Sequence, residues 1–84
     1  MEQFLYNYIA TATTTTVAEQ GDGVLHSITI GETAAGTVTI TDDNGTIAVL
    51  KTSIAEGTYL FDIAWNGSLT VVTSAASKLT VAYR

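Results

Sequence analysis

The chain has 84 residues and a formal charge of −5, with eight acidic groups set against Lys51, Lys78 and Arg84, and it contains no cysteine, no proline and one histidine. Disulfides and thiolate metal sites are excluded, and three cations cannot supply the counterion release on which nucleic-acid binding depends. A single domain of this size buries only about 60–65% of the surface its unfolded chain exposes, so self-association is the expected staple for a marginal core.

The amino-terminal sequence MEQFLYNYIATATTTT starts acidic, lacks a basic n-region and runs into threonines. It reads as a chain beginning at its own initiator Met and made in a cytosol, not as a signal peptide. No stretch approaches the roughly 20 apolar residues of a membrane span, and an anionic membrane surface would find few cations here. FLYNYIA at 4–10 puts Phe4, Tyr6, Tyr8 and Ala10 on one side of an extended segment, and the threonines that follow favour extended backbone through their restricted χ1. Two readings stay open for residues 1–20: a first strand paired within its own sandwich, or an arm docked on a neighbour. In the arm reading Phe4, Leu5, Tyr6, Tyr8 and Ile9 carry attachment, and removing residues 1–20 leaves a folded domain.

From residue 21 onward the pattern is that of a sandwich domain over 21–84. GVLHSITIG at 23–31 aligns Val24, His26, Ile28 and Ile30 against Leu25, Ser27 and Thr29. GTVTIT at 36–41 alternates cleanly, DDNG at 42–45 is a strong turn signal, and TIAVLK at 46–51 completes a hairpin. Ile47 through Leu50 is apolar on both sides, a strand to be covered twice, by this chain or by a neighbour. TYLFDIAW at 58–65 groups Tyr59, Phe61, Ile63 and Trp65, and Asn66-Gly67 turns into SLTVVT. KLTVAYR closes the chain, so that 68–83 resembles a second hairpin. Turn signals about every ten residues predict an all-β, small antiparallel β-sandwich of seven or eight strands, of jelly-roll or Greek-key type. Helix is limited to one turn near Ile54–Glu56 or Ala75–Ser77.

Candidate chemistry is sparse. His26 lies on an apolar strand face in this alternation, the setting of a packed, hydrogen-bonded histidine more often than of a pH sensor. Asp42, Asp43 and Asn44 offer oxygen ligands, yet the spaced calcium-loop pattern is missing and a hairpin turn accounts for them. Asp62 is expected to pair with Lys51 or Lys78. Nucleophilic catalysis needs a base beside the hydroxyl and a group orienting that base, and one histidine gives no such set, so no enzyme, cofactor or metal is expected. Asn44-Gly45-Thr46 and Asn66-Gly67-Ser68 match glycosylation sequons but serve as turns in a chain without a secretion signal. Tyr6, Tyr8, Tyr59, Trp65 and Tyr83 would make a sugar-stacking platform if exposed together, although aromatics in register with Ile and Val usually form core.

Several runs resemble a group of very small phage-encoded virion proteins. Gly23–Ile30 carries Gly-x-Leu-x-x-Ile-x-Ile, Val38–Asp42 carries Val-x-Ile-x-Asp, and Thr80–Arg84 carries Thr-Val-x-Tyr-Arg. Phe61–Ser74 follows the group's Phe-Asp-x-x-x-x-Asn-Gly-Leu-x-Val-x-x-Ser with Ser68 inserted between Gly67 and Leu69. The resemblance implies a head decoration (cement) protein of a tailed bacteriophage: made in the host cytoplasm, located on the capsid exterior, bound to the major capsid protein, and homo-oligomeric, with a trimer favoured over a dimer. The alternatives are a carbohydrate- or receptor-binding module of a phage fibre, which exposed aromatics would favour, and a neck or tail adaptor.

Overall fold

The computed structural model describes residues 4–19 and 21–84. Alternation and glycine turns produce eight strands: β1 (Leu5–Ile9), β2 (Thr13–Ala18), β3 (Asp22–Glu32), β4 (Val38–Asp42), β5 (Gly45–Leu50), β6 (Gly57–Asn66), β7 (Leu69–Thr73) and β8 (Lys78–Tyr83). They form two four-stranded antiparallel sheets, ordered β1-β8-β3-β6 (sheet A) and β2-β7-β4-β5 (sheet B). No helix forms among the described residues, and 51–56 and 74–77 are turns and bends.

Between the sheets lies one core: Ile9 from β1, Val17 from β2, Leu25, Ile28 and Ile30 from β3, Val38 and Ile40 from β4, Leu50 from β5, Trp65 from β6, Leu69 and Val71 from β7, and Leu79 and Val81 from β8. Every strand contributes at least one side chain to it. Ile9 pairs opposite Leu79 and is 3% exposed. β2 is pinned by Thr73, whose buried hydroxyl donates to Thr11 O at 2.6 Å and accepts from Thr13 N at 3.0 Å. The threonine run is thus an edge strand of sheet B, and Leu5–Ile9 is an edge strand of sheet A. Of the two readings of residues 1–20, the described part follows the first, strands paired within their own sandwich; residues 1–3 and 20 lie outside the described part.

The DDNG turn joins β4 to β5, among the described residues the one pair of consecutive strands that lie side by side. The segment 68–83 is not a second hairpin, since β7 belongs to sheet B and β8 to sheet A. Likewise Asn66-Gly67 carries the chain from sheet A to sheet B. Two acidic side chains tie these turns together. Asp42 accepts from Asn44 N and Asn66 N, both at 3.0 Å, and Asp43 accepts from Ser68 N at 3.2 Å. Gly67, at φ +82°, leaves room for the Asp43 carboxylate, which a Cβ would strike. The acidic cluster is therefore a clamp between two turns.

β3 departs from simple alternation. The step Leu25–Ser27 stands opposite Tyr83–Ala82 on β8 and opposite Ile63–Leu60 on β6. One residue of advance on β8 is matched by two on β3 and three on β6, so the sheet fans open toward its β6 edge. Such bulges bend the strand and increase its twist. The extra residue reverses the faces of β3: Leu25 turns inward with Ile28 and Ile30, whereas Val24 is half-buried and His26 leaves the core side. Gly23 sits just beyond, where a Cβ would overlap the Arg84 carbonyl oxygen and stand 2.7 Å from Trp65 Nε1.

Two stability outcomes follow. A chain consisting of residues 21–84 lacks β1 and β2 and should show no cooperative urea transition. Asp42→Ala should retain the fold but lose about 1–2 kcal/mol, because two main-chain amides lose their acceptor, as read from the urea midpoint at unchanged m.

Candidate functional site: an aromatic-walled trough on sheet A

The outer face of sheet A follows directly from the register. Directly opposed residues in an antiparallel ladder share a face, so one row runs Tyr8, Thr80, Thr29, Thr58 and the next runs Tyr6, Ala82, Ser27, Leu60. Both rows are large at one or both edges and small in the middle. With strands about 4.8 Å apart, the rows describe a shallow trough about 14 Å wide, floored by Ala82, Ser27 and threonines. Tyr6 is 74% exposed, Tyr8 58% and Leu60 69%, values that mark them as free walls and not as core. Neither row contains a charged residue.

One end of the trough is crossed by a line of four side chains, one from each region of the sheet. The Arg84 guanidinium lies 5.1 Å from the centroid of the Phe4 ring, within cation–π range. Phe4 stacks on His26 with centroids 4.0 Å apart and planes 16° from parallel. His26 Nδ1 donates to Asp62 Oδ1 at 2.6 Å. The bulge makes this line possible: it moves His26 to the outer face and sets Asp62 directly beside it. Asp62 has φ +50°, a left-handed conformation that Asp tolerates better than most residues. The His26–Asp62 contact is partly solvated, with side chains 31% and 63% exposed, so on its own it is worth about 0–1 kcal/mol. Its role is positional, because it holds the ring on which Phe4 rests.

The structure departs from simple strand alternation and from the expected ion pair. His26 does not occupy the apolar face with Val24, Ile28 and Ile30. Asp62 pairs with His26 instead of Lys51 or Lys78, and Lys78 meets Glu32 at 3.5 Å. Of the five residues proposed for partner contact, Phe4, Leu5, Tyr6 and Tyr8 are exposed and Ile9 belongs to the core. The five aromatics of the would-be platform are dispersed: Tyr59 and Tyr83 pack against the core, and Trp65 lies within it. Sequence alternation did not reveal Leu60 or Ser27 as trough residues, because their place depends on the β3–β6 register across the bulge. The available signal was Asp62, the lone charge inside an otherwise apolar strand. Among the described residues no group of three or more His, Cys, Asp or Glu is arranged to hold a metal ion, and no helix is long and apolar enough to cross a membrane.

No family model and no curated protein matches this chain. Among solved structures it is similar to the crystal structure of the Drosophila NLP core, described for what it reveals of pentamer formation and histone binding. The two are 16% identical with a TM-score of 0.64, over 99% of this chain and 97% of that one. At this identity the likeness is one of fold: a small all-β sandwich.

The positive φ at Asp62 yields a specific expectation. Asp62→Ala and Asp62→Gly both delete the His26 contact, but only alanine keeps a Cβ in the left-handed region, at a cost of about 1–2 kcal/mol. Urea denaturation should therefore find the glycine variant the more stable of the two by about 1 kcal/mol or more, and equal stabilities would show that the bulge relaxes when its side-chain anchor is lost.

Proposed function

We propose that this protein is a non-catalytic assembly module that decorates and stabilises a tailed-phage capsid from outside, with the sheet A trough as its attachment surface. The observation that carries the reading is the trough itself: an uncharged floor walled by exposed Tyr6, Tyr8 and Leu60 on a chain of charge −5. Exposed aromatics on a rigid sheet are costly to leave in water and suit a partner surface, where Tyr is a frequent anchor. The resemblance of Gly23–Ile30, Val38–Asp42, Phe61–Ser74 and Thr80–Arg84 to small virion proteins supplies the partner class, the major capsid protein. A decoration protein needs shape, copy number and avidity more than strong single contacts.

The strand order β1-β8-β3-β6 over β2-β7-β4-β5 supports reading the sandwich as an eight-stranded jelly roll built from two Greek keys. A homo-oligomer is part of the proposal. The sequence resemblance favours three copies, whereas the Drosophila protein of similar fold is associated with a pentamer. Light scattering on a sizing column distinguishes three from five.

Attachment is tested with the double variant Tyr6→Ala/Tyr8→Ala, whose side chains lie outside the core. It should melt as the parent does but bind expanded, undecorated capsids at least about 30-fold more weakly, the effect of losing an anchor worth about 2 kcal/mol. Unchanged capsid binding would remove the trough from the attachment surface. Binding of the parent chain to a glycan array, abolished by the same double variant, would favour the receptor-module reading instead.

A further inference from the structure

The four edge strands of this sandwich are not equally protected. Folded proteins blunt open edges with charge, proline or bulges, because an exposed ladder is a template for another chain. β6 has such protection in Asp62 and the bulge around it. β1 (LYNYI), β2 (TTTTVA) and β5 (GTIAVL) carry no charge and no proline. Their register shifts fall between Thr16 and Ala18 on β2 and beside Thr46 on β5, leaving Thr13–Thr16 and Ala48–Leu50 regular.

The open edges lie on opposite flanks. Three residues link β1 to β2, so the edge of sheet A and the edge of sheet B meet on one side of the sandwich; residues 51–56 link β5 to β6 and bring the other two edges together on the opposite side. The outer face of sheet B spans the distance between flanks with the row Thr14, Val72, Thr39, Val49 and the row Thr16, Thr70, Thr41, Thr46. Val49, at the far end of the first row, is 58% exposed. The double-sided apolar character of β5 is thus left without a second cover in the single chain.

Charge placement identifies what covers it. Glu2 aside, which lies outside the described residues, every charged side chain except Asp62 sits at a strand end or in a connection: Glu19, Asp22, Glu32, Asp42, Asp43, Lys51, Glu56, Lys78 and Arg84. A chain of charge −5 repels its own copies, but here the repulsion is concentrated at the two ends of the sandwich and is nearly absent along its sides. The sides are where another copy can approach. Because the two open flanks differ from each other and point in opposite directions, contact between them is heterologous, which makes a ring where the rotation between copies closes and an open filament where it does not.

We infer that the β1–β2 flank of one copy seats against the β5–β6 flank of the next, head to tail, to form a closed ring. This rests on the homo-oligomer in the function proposed above and specifies its interface: β2 of one copy beside β5 of the next, with Thr14 and Val49 on opposing sides. The outer face of sheet A stays uncovered, so the trough remains available for a larger partner.

The test uses the full chain and two exposed substitutions that give each edge a lysine guard, Thr14→Lys and Val49→Lys. Circular dichroism and thermal melts should show both variants folded like the parent. Light scattering should find the parent as a closed oligomer and each variant as a single chain. An equimolar mixture of the two should form a dimer and stop there, because Val49→Lys still offers an intact β2 edge and Thr14→Lys an intact β5 edge. Parent-like oligomers of either variant alone, or a mixture that stays monomeric, would overturn the head-to-tail interface while leaving the oligomer in place. A monomeric parent would overturn both.

Discussion

The outer surface of sheet A depends on one mismatch in residue count. Where β8 advances one residue, β3 advances two and β6 three. Hydrogen bonding alone would tolerate a flat, evenly registered sheet. The mismatch bends it, turns Leu25 into the core, sends His26 out and stations Asp62 beside it. From this the end of the trough acquires its line of Arg84, Phe4, His26 and Asp62, and Leu60 takes its place opposite Tyr6 across the floor. No single contact in that line is strong. Their value lies in fixing the position of an aromatic ring that would otherwise swing freely at the start of β1.

Stability has to come chiefly from packing, because the sequence has no cysteine with which to form a disulfide. Nine side chains are essentially completely buried, drawn from β3, β4, β7 and β8, the interior strands of the two sheets. The edge strands add Ile9, Val17, Leu50 and Trp65 around this centre. Trp65 brings a cost, since its Nε1 is buried without a hydrogen-bond partner, a loss of about 1–3 kcal/mol. The indole is accommodated there because Gly23 opposite it has no side chain. The carboxylates of Asp42 and Asp43 compensate in another place by serving main-chain amides at two turns that must meet for the sheets to stack. A domain assembled on such narrow margins gains from any further surface it can bury against its own copies.

Much of this was legible in the residues. Period-two alternation over Val38–Asp42 and Lys78–Tyr83 found strands and inward faces, SLTVVT was found as a strand, and DDNG found the β4–β5 hairpin, because these depend on local side-chain chemistry alone. Alternation grouped Tyr59, Phe61, Ile63 and Trp65, of which Tyr59, Phe61 and Trp65 join or pack against the core while Ile63 is 40% exposed. It failed on β3, where it assigned His26 to the side of Ile28 and Ile30, since a bulge is a relation between strands and leaves no mark in one strand's own pattern. It failed again at 68–83, where two similar strands joined by a polar loop looked like a hairpin. That loop passes between sheets, and nothing in its composition distinguishes a crossing from a return. The trough was illegible for the same reason: its two rows draw on β1, β8, β3 and β6, segments far apart in the chain.

The strand order has a consequence for the order of events in folding. Only β4 and β5 are neighbours both along the chain and in a sheet, so one hairpin is all that can form early. Every other pairing closes a long loop, the condition for slow folding. The extreme case is β1, whose partner is β8, the most distant of the described strands along the chain. Throughout synthesis Leu5, Tyr6, Tyr8 and Ile9 have no ladder to join, in a segment without a charge to keep it apart from other nascent chains. The separation of the two strands limits that interval to the time needed to add about 70 residues, seconds at ordinary rates of elongation. The short stretch of chain between β1 and β8, which leaves little core to build, therefore shortens the exposure of the unfinished one.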